Sequence, residues 1–219
     1  MVKRDGKRKT RDQLSQKRYP KLGHYLIVTD TKETEKNYFT GLRNYLPIDL
    51  QSRIVIKVHQ AKTGKLVDEA LRLASLEPHF AEIWIVLDRD QVKRFDQLIV
   101  KAEAKGIKTG WSNPCIEIWF NAYFGEMPAC IDSVSCCKGF ETEFFRTTGQ
   151  KYQKSDPDIY AKLHHSGDEQ EAIRLAKQKI IEHEKDNKTK PSTMCPATKV
   201  HILVEEITSI TNSSTVREH

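Results

Sequence analysis

Two rhythms of apolar and polar positions alternate along this chain. Residues 23–29 (GHYLIVT) have an apolar middle and read as a short strand. Over 33–46, Tyr38, Phe39, Leu42, Tyr45 and Leu46 recur at helical spacing, and Pro47 closes the run. Residues 53–59 (RIVIKVH) read as a second strand, and 64–76 put Leu66, Val67, Ala70, Leu71 and Ala74 on one helical face. Residues 82–87 (EIWIVL) are a nearly continuous apolar run, the pattern of a strand covered on both faces of a parallel sheet. A third helix is expected over 91–105, ended by Gly106, then a fourth strand over 107–111 and a fourth helix over 113–124.

This alternation predicts an α/β domain over 22–125, a parallel sheet flanked by helices with right-handed crossovers. Residues 126–208 read as a C-terminal helical extension. It has a short helix over 138–145 and a second over 169–184, with Ala172, Ile173, Leu175, Ala176 and Ile180 on one face. A third covers 197–207, carrying Val200, Leu203, Val204 and Ile207. Residues 186–192 form a polar linker. Residues 1–21 and 209–219 read as a flexible arm and a flexible tail. There is no internal repeat.

Composition sharpens this picture in three ways. The chain of 219 residues is 38% apolar, enough for a real core. No apolar run approaches the roughly 20 residues that cross a bilayer, and the first residues are polar, so no membrane association and a cytoplasmic location are expected. The five cysteines, Cys115, Cys130, Cys136, Cys137 and Cys195, are odd in number and never spaced CxxC, which favours reduced thiols. A zinc site from Cys130, Cys136, Cys137, His164 and His165 can be drawn, but its spacing matches no tight ligand pair.

The net charge of +6 is unevenly spread. Residues 1–21 hold nine basic residues against two acidic ones, while the rest of the chain holds 27 against 28. An arm carrying Lys3, Arg4, Lys7, Arg8, Lys9 and Arg11 is attracted to phosphate backbones with little sequence preference, or serves as a solubilising tail.

The candidate chemistry is acidic. The third strand ends in Asp88-Arg89-Asp90. Alternate strand positions share a face, so both carboxylates can point to one site at the carboxyl end of a parallel strand, where open α/β sheets bind ligands. Two close carboxylates repel unless they share a cation, and hard oxygen ligands suit Mg²⁺ or Mn²⁺. The competing reading is a solvated acidic loop or caps for the next helix. The first strand also ends in an acid, Asp30, which a parallel sheet carries to the same edge. Glu33 and Glu35 follow in a helix's opening turn, where they favour the dipole. Ser112 or Asn113 can cap a helix beginning at Pro114. Glu117 sits among Ile116, Ile118, Trp119 and Phe120. It needs a partner or a metal there, or else faces outward or pairs with a lysine.

Four blocks of these residues resemble the RloB-like family of Toprim-type proteins. Thr34, Glu35, Asn37, Tyr38 and Phe39 match its opening segment, VLDRD its second acidic motif, SNPCIEIW its Ser-Asn-Pro-x-x-Glu-x-Trp signature, and Pro196 to Glu205 its closing motif. The blocks are in order over 25–206. The family's first-motif Glu-Gly is Asp30-Thr31 here, which shortens the carboxylate arm and stiffens the turn. The resemblance implies a Toprim-like fold in which Asp30, Asp88 and Asp90 hold Mg²⁺ (or Mn²⁺). It implies a nuclease acting on RNA, possibly tRNA, or on DNA, as the effector of an anti-phage defence system beside a partner ATPase. On that reading Asp30, Asp88, Asp90 and Glu117 are the catalytic set, Glu117 as base or in support of the ligands. Lys62 and Lys65 contact the nucleic-acid backbone with the arm. Lys32 and Arg89 offset phosphate charge, and His201 is a candidate for proton transfer. The competing reading is a catalytically inactive subunit that binds nucleic acid or the ATPase.

Overall fold

A computed structural model describes residues 24–31, 33–59, 63–77, 79–90 and 92–215. Four parallel strands, β1 (His24–Thr29), β2 (Ile54–Val58), β3 (Phe80–Asp88) and β4 (Lys108–Asn113), stand in the order β2-β1-β3-β4. A two-residue strand, β5 (Ala197–Thr198), closes the β4 edge antiparallel. The fold class is the α/β one expected. Strand side chains divide between two apolar clusters by alternation. Tyr25, Ile27, Trp84 and Val86 enter one, while Leu26, Val28, Ile85 and Leu87 enter the other.

The second cluster is covered by α3 (Leu66–Leu76) and α4 (Phe95–Glu103), through Leu66, Val67, Ala70, Phe95, Leu98 and Ile99. The first is larger. Helices α1 (Thr34–Tyr45), α5 (Glu117–Ala122), α6 (Ser133–Thr148), α7 (Ile159–Ser166), α8 (Glu169–Lys185) and α9 (Val200–Thr215) all contribute to it. Helices beyond residue 125 therefore share one core with the sheet. Short α2 (Ile48–Gln51) and α7 carry too few periodic positions to stand out in the sequence.

Four expected helices are corrected. The one over 113–124 is mostly displaced: β4 persists through Asn113, the chain turns at a cis Asn113–Pro114 bond, and α5 begins only at Glu117. Ser112 and Asn113 are held extended by pairing with Thr198 and Ala197, a distant partner that local periodicity does not reveal. For the same reason the helix expected over 197–207 begins at Val200. It runs on to Thr215, into the segment read as tail. The helix expected over 91–105 starts at Phe95, because 93–94 form a turn after Arg89 O accepts the Val92 N–H at 2.9 Å. The helix at 138–145 is longer than expected. Asp132 Oδ1 accepts the Ser135 N–H at 2.7 Å and Ser135 Oγ accepts the Asp132 N–H at 3.2 Å, a reciprocal cap that starts α6 at Ser133.

A buried hydrogen-bond chain fixes α1 against α5. Trp119 Nε1–H donates to Tyr38 Oη at 2.9 Å, Tyr38 Oη donates to Tyr123 Oη at 2.7 Å, and Tyr123 Oη donates on to Glu169 Oε2 at 3.0 Å. Tyr38 lies one turn beyond Glu35 and Trp119 two residues beyond Glu117, so this chain also sets the spacing of those two acids.

Candidate active site: an acidic cleft at the carboxyl edge of the sheet

Parallel neighbours end at the same edge. Asp30 follows the last residue of β1, and Asp88 is the last residue of β3. The first turn of α1 brings Glu35 to that edge, and the turn between β4 and α5 brings Cys115, Ile116 and Glu117. Together they line a cleft of about 1080 Å³. The cleft is also lined by Lys93 and Arg94 just before α4, by Gln97 and Lys101 of α4, and by Lys154.

Three carboxylates here are incompletely satisfied. Thr63 Oγ1 donates to Asp30 Oδ2 at 3.1 Å, leaving Asp30 Oδ1 buried without a partner in the protein. The Ile116 N–H donates to Asp88 Oδ2 at 3.1 Å, leaving Asp88 Oδ1 equally orphaned. Glu35, 1% exposed, has Oε2 in the same state. Burial pushes the Asp30 carboxyl up to about 6, only partly offset by Thr63 and His59. Burial and then the charge of Asp30 raise Glu35; burial and then the charges of Glu35, Glu117 and Asp30 raise Asp88 well above the usual carboxylate range. Buried carboxylates that repel one another and lack donors are relieved by protons or by a cation. An all-oxygen set fits a hard divalent ion. Among the described residues no three of these carboxylates bring oxygens within 4.8 Å of one another, so an ion shared by all of them would be met partly through water, which Mg²⁺ retains readily.

The Asp88-Arg89-Asp90 turn is tied down by backbone. The Arg89 N–H donates to Ser112 O at 2.8 Å and the Asp90 N–H to Pro114 O at 3.0 Å. Asp90 also lines the cleft, but at its exposed rim, where its Oδ1 accepts from Ser133 Oγ at 2.8 Å. Asn113 Nδ2 donates to Pro191 O and Ser192 O at 3.0 and 3.2 Å, so Asn113 braces the cleft from outside, while Cys115, Ile116 and Glu117 of the same motif line it.

Glu117 is 1% exposed, and its Oε1 accepts from Tyr152 Oη at 3.0 Å with Lys154 Nζ at 3.6 Å. It lies on the cleft wall already paired. Neither Tyr152 nor Lys154 stood out in the sequence. Glu35 did have a signal: with Tyr38, Phe39 and Leu42 it completes an i, i+3, i+4, i+7 stripe, which puts a carboxylate on the buried face.

Other expected residues fall elsewhere. Lys65 is exposed beside the cleft residues Thr63 and Gly64. His201 is buried in α9, where its Nδ1–H donates to Thr198 O at 3.0 Å; burial lowers it to about 4, and it does not line the cleft. His164 and His165 pack against Tyr45, away from the cysteines. The arm residues Lys3, Arg4, Lys7, Arg8, Lys9 and Arg11, with Lys32 and Lys62, lie outside the described residues. Among the described residues no helix is long and apolar enough to cross a membrane.

Comparison with known proteins gives one finding. The sequence model of the RloB-like protein family matches residues 25–207. No curated protein and no solved structure matches.

Proposed function

This chain belongs to the RloB-like family, and on that premise we propose that its acidic cleft is the active site of a divalent-metal-dependent nuclease. It would hydrolyse phosphodiester bonds in RNA, tRNA included, or in DNA, as the effector of an anti-phage defence system with a partner ATPase. The observation that carries this reading is the trio of buried, unpartnered carboxylate oxygens on Asp30, Glu35 and Asp88 in a cleft also lined by Lys93, Arg94 and Lys154. Asp30, Glu35 and Asp88, with Asp90 at the rim, would hold Mg²⁺ or Mn²⁺, which when bound supplies charge stabilisation at the phosphate and an activated water. Lys93 and Arg94 are exposed at the cleft and would orient the backbone phosphates. Glu117 holds Lys154 at the cleft, where its ammonium is offered to the same phosphates. The amino-terminal arm would add affinity without sequence preference.

A second reading, an inactive subunit that binds nucleic acid or the ATPase, is favoured by the wide spacing of the carboxylates and by Asp30 standing where the family has Glu. The two separate in one experiment. Purified protein, with and without its neighbouring ATPase, is incubated with total tRNA and plasmid DNA in Mg²⁺ or Mn²⁺, and cation binding is followed by calorimetry. The nuclease reading expects metal-dependent cleavage that Asp88→Asn lowers by about a thousandfold, with cation binding lost. Binding and cleavage both intact in Asp88→Asn would remove the cleft from the chemistry, and a silent wild type that still binds the ATPase would establish the second reading.

A further inference from the structure

All five cysteines of the chain gather beside this cleft, from four separate parts of the fold. The Cys115 and Cys137 sulfurs are 3.9 Å apart. The Cys136 thiol interacts with those of Cys115 and Cys130, and Cys130 with Cys195, whose Sγ–H also reaches Cys130 O at 3.3 Å. The cluster is not built for a metal. Among the described residues only Cys115, Glu117 and Cys137 bring ligand atoms within 4.8 Å of one another, and the Lys154 ammonium already sits against that trio, 3.6 Å from Glu117 and interacting with Cys137. A cation of the protein's own occupies the place.

We propose that Cys115 and Cys137 are an oxidation site, closing to a disulfide that loosens the acidic cleft. The two thiols face different spaces. Buried Cys115 lines the cleft, whereas half-buried Cys137 lines a surface groove of about 380 Å³ shared with Ser133 and Lys154. A hydroperoxide reaches Cys137 from that groove. The contact with Cys115 and burial push the Cys137 thiol up, so it attacks through its minor thiolate form; an S–O bond forms with the nearer oxygen as the O–O bond breaks, and the farther oxygen takes up a proton and leaves as alcohol or water. The Cys115 sulfur then attacks the sulfenic sulfur, an S–S bond forms, and hydroxide leaves with the Cys115 proton as water. Two thiols are oxidised and one hydroperoxide is reduced.

The consequence follows from what flanks Cys115. Its preceding carbonyl, Pro114 O, accepts the Asp90 N–H at 3.0 Å, and its following amide, Ile116 N–H, donates to Asp88 Oδ2 at 3.1 Å. Drawing the sulfurs from 3.9 Å to the roughly 2.05 Å of a disulfide pulls the 114–116 turn toward α6 and disturbs both contacts. The disulfide stands independently of the nuclease reading; its effect on cation binding rests on it.

The test treats the full chain with hydrogen peroxide, maps non-reduced peptides by mass spectrometry, and measures Mn²⁺ affinity by calorimetry before and after. Expected are a Cys115–Cys137 linked peptide pair and a Mn²⁺ affinity lowered about tenfold to a hundredfold, the range for losing support to metal ligands, and restored by dithiothreitol. Cys137→Ser, at a partly exposed position, should abolish both effects, and Cys195→Ser should keep them. Absence of the Cys115–Cys137 pair, affinity loss persisting in Cys137→Ser, or stoichiometric thiol-bound zinc would overturn the proposal. Reduced protein that binds no Mn²⁺ would sink the nuclease reading, while the peptide map still decides the disulfide.

Discussion

Glu35 and Glu117 line one cleft, each 1% exposed. Burial is the same, and the surroundings are opposite. Glu117 has a tyrosine hydroxyl and a lysine ammonium on it. Glu35 has an orphaned Oε2, and the charges of Asp30 and Glu117 on it outweigh the more weakly felt Lys154. A buried carboxylate matched by donors is part of the fold. One left unmatched raises the energy of the fold and persists because something else is meant to satisfy it. On the proposed reading, the difference puts Asp30, Glu35 and Asp88 in ligand binding and Glu117 in support of the cleft. It also predicts that neutralising the two glutamates moves stability in opposite directions.

The larger effect belongs to Glu117. Glu117→Ala removes the acceptor of the Tyr152 hydroxyl and leaves a void behind Trp119. Lys154 is more than half exposed and turns to water, so the ion pair contributes little. A loss of about 2–3 kcal/mol in unfolding free energy is expected, checked by denaturant unfolding. Unchanged stability would mean that Glu117 is not the matched partner its geometry describes.

Glu35→Gln acts the other way. It keeps the size and removes a carboxyl whose ionisation burial and the neighbouring acids disfavour, pushing it up to about 8. The metal-free protein should gain about 1–2 kcal/mol. Addition of Mn²⁺ should stabilise the wild type and leave Glu35→Gln nearly unmoved, measured as the shift in Tm. A variant less stable than wild type without metal would erase the contrast between the two glutamates.

This contrast was only half legible in the sequence. The central strands β1 and β3 announced themselves because their middles are covered on both faces and so read as apolar runs; the acids at their ends followed from parallel topology. The 113–117 region misled because β5 arrives from far along the chain and holds Ser112 and Asn113 extended. Glu35 lay on the apolar stripe of α1, yet a helix dipole gave it an adequate local reason. Tyr152 and Lys154 come from a stretch with no period, and their meaning exists only once it folds beside Glu117. The cysteines share no spacing because four separate segments bring them together.

The smallest expected effect sharpens the comparison through pH, at Asp30. Its carboxyl is raised from the usual 3.8 to about 6 by burial. The folded protein then holds more protons than the unfolded chain between those values, so stability falls as pH rises through that window and levels off above it. The unfavourable contribution is absent below the unfolded pKa and complete above about 6. Other acids titrate in the same range, so the informative quantity is wild type minus Asp30→Asn. That difference should fall by about 1 kcal/mol on going from acid to neutral pH, after discounting for solvent near the cleft mouth. With saturating Mn²⁺ the trend should reverse, because the cation takes the place of the protons and binds more tightly as they leave. A flat difference in both conditions would separate Asp30 from Glu35 and Asp88. A slope without metal that Mn²⁺ does not reverse would leave Asp30 a strained acid with no ligand to meet.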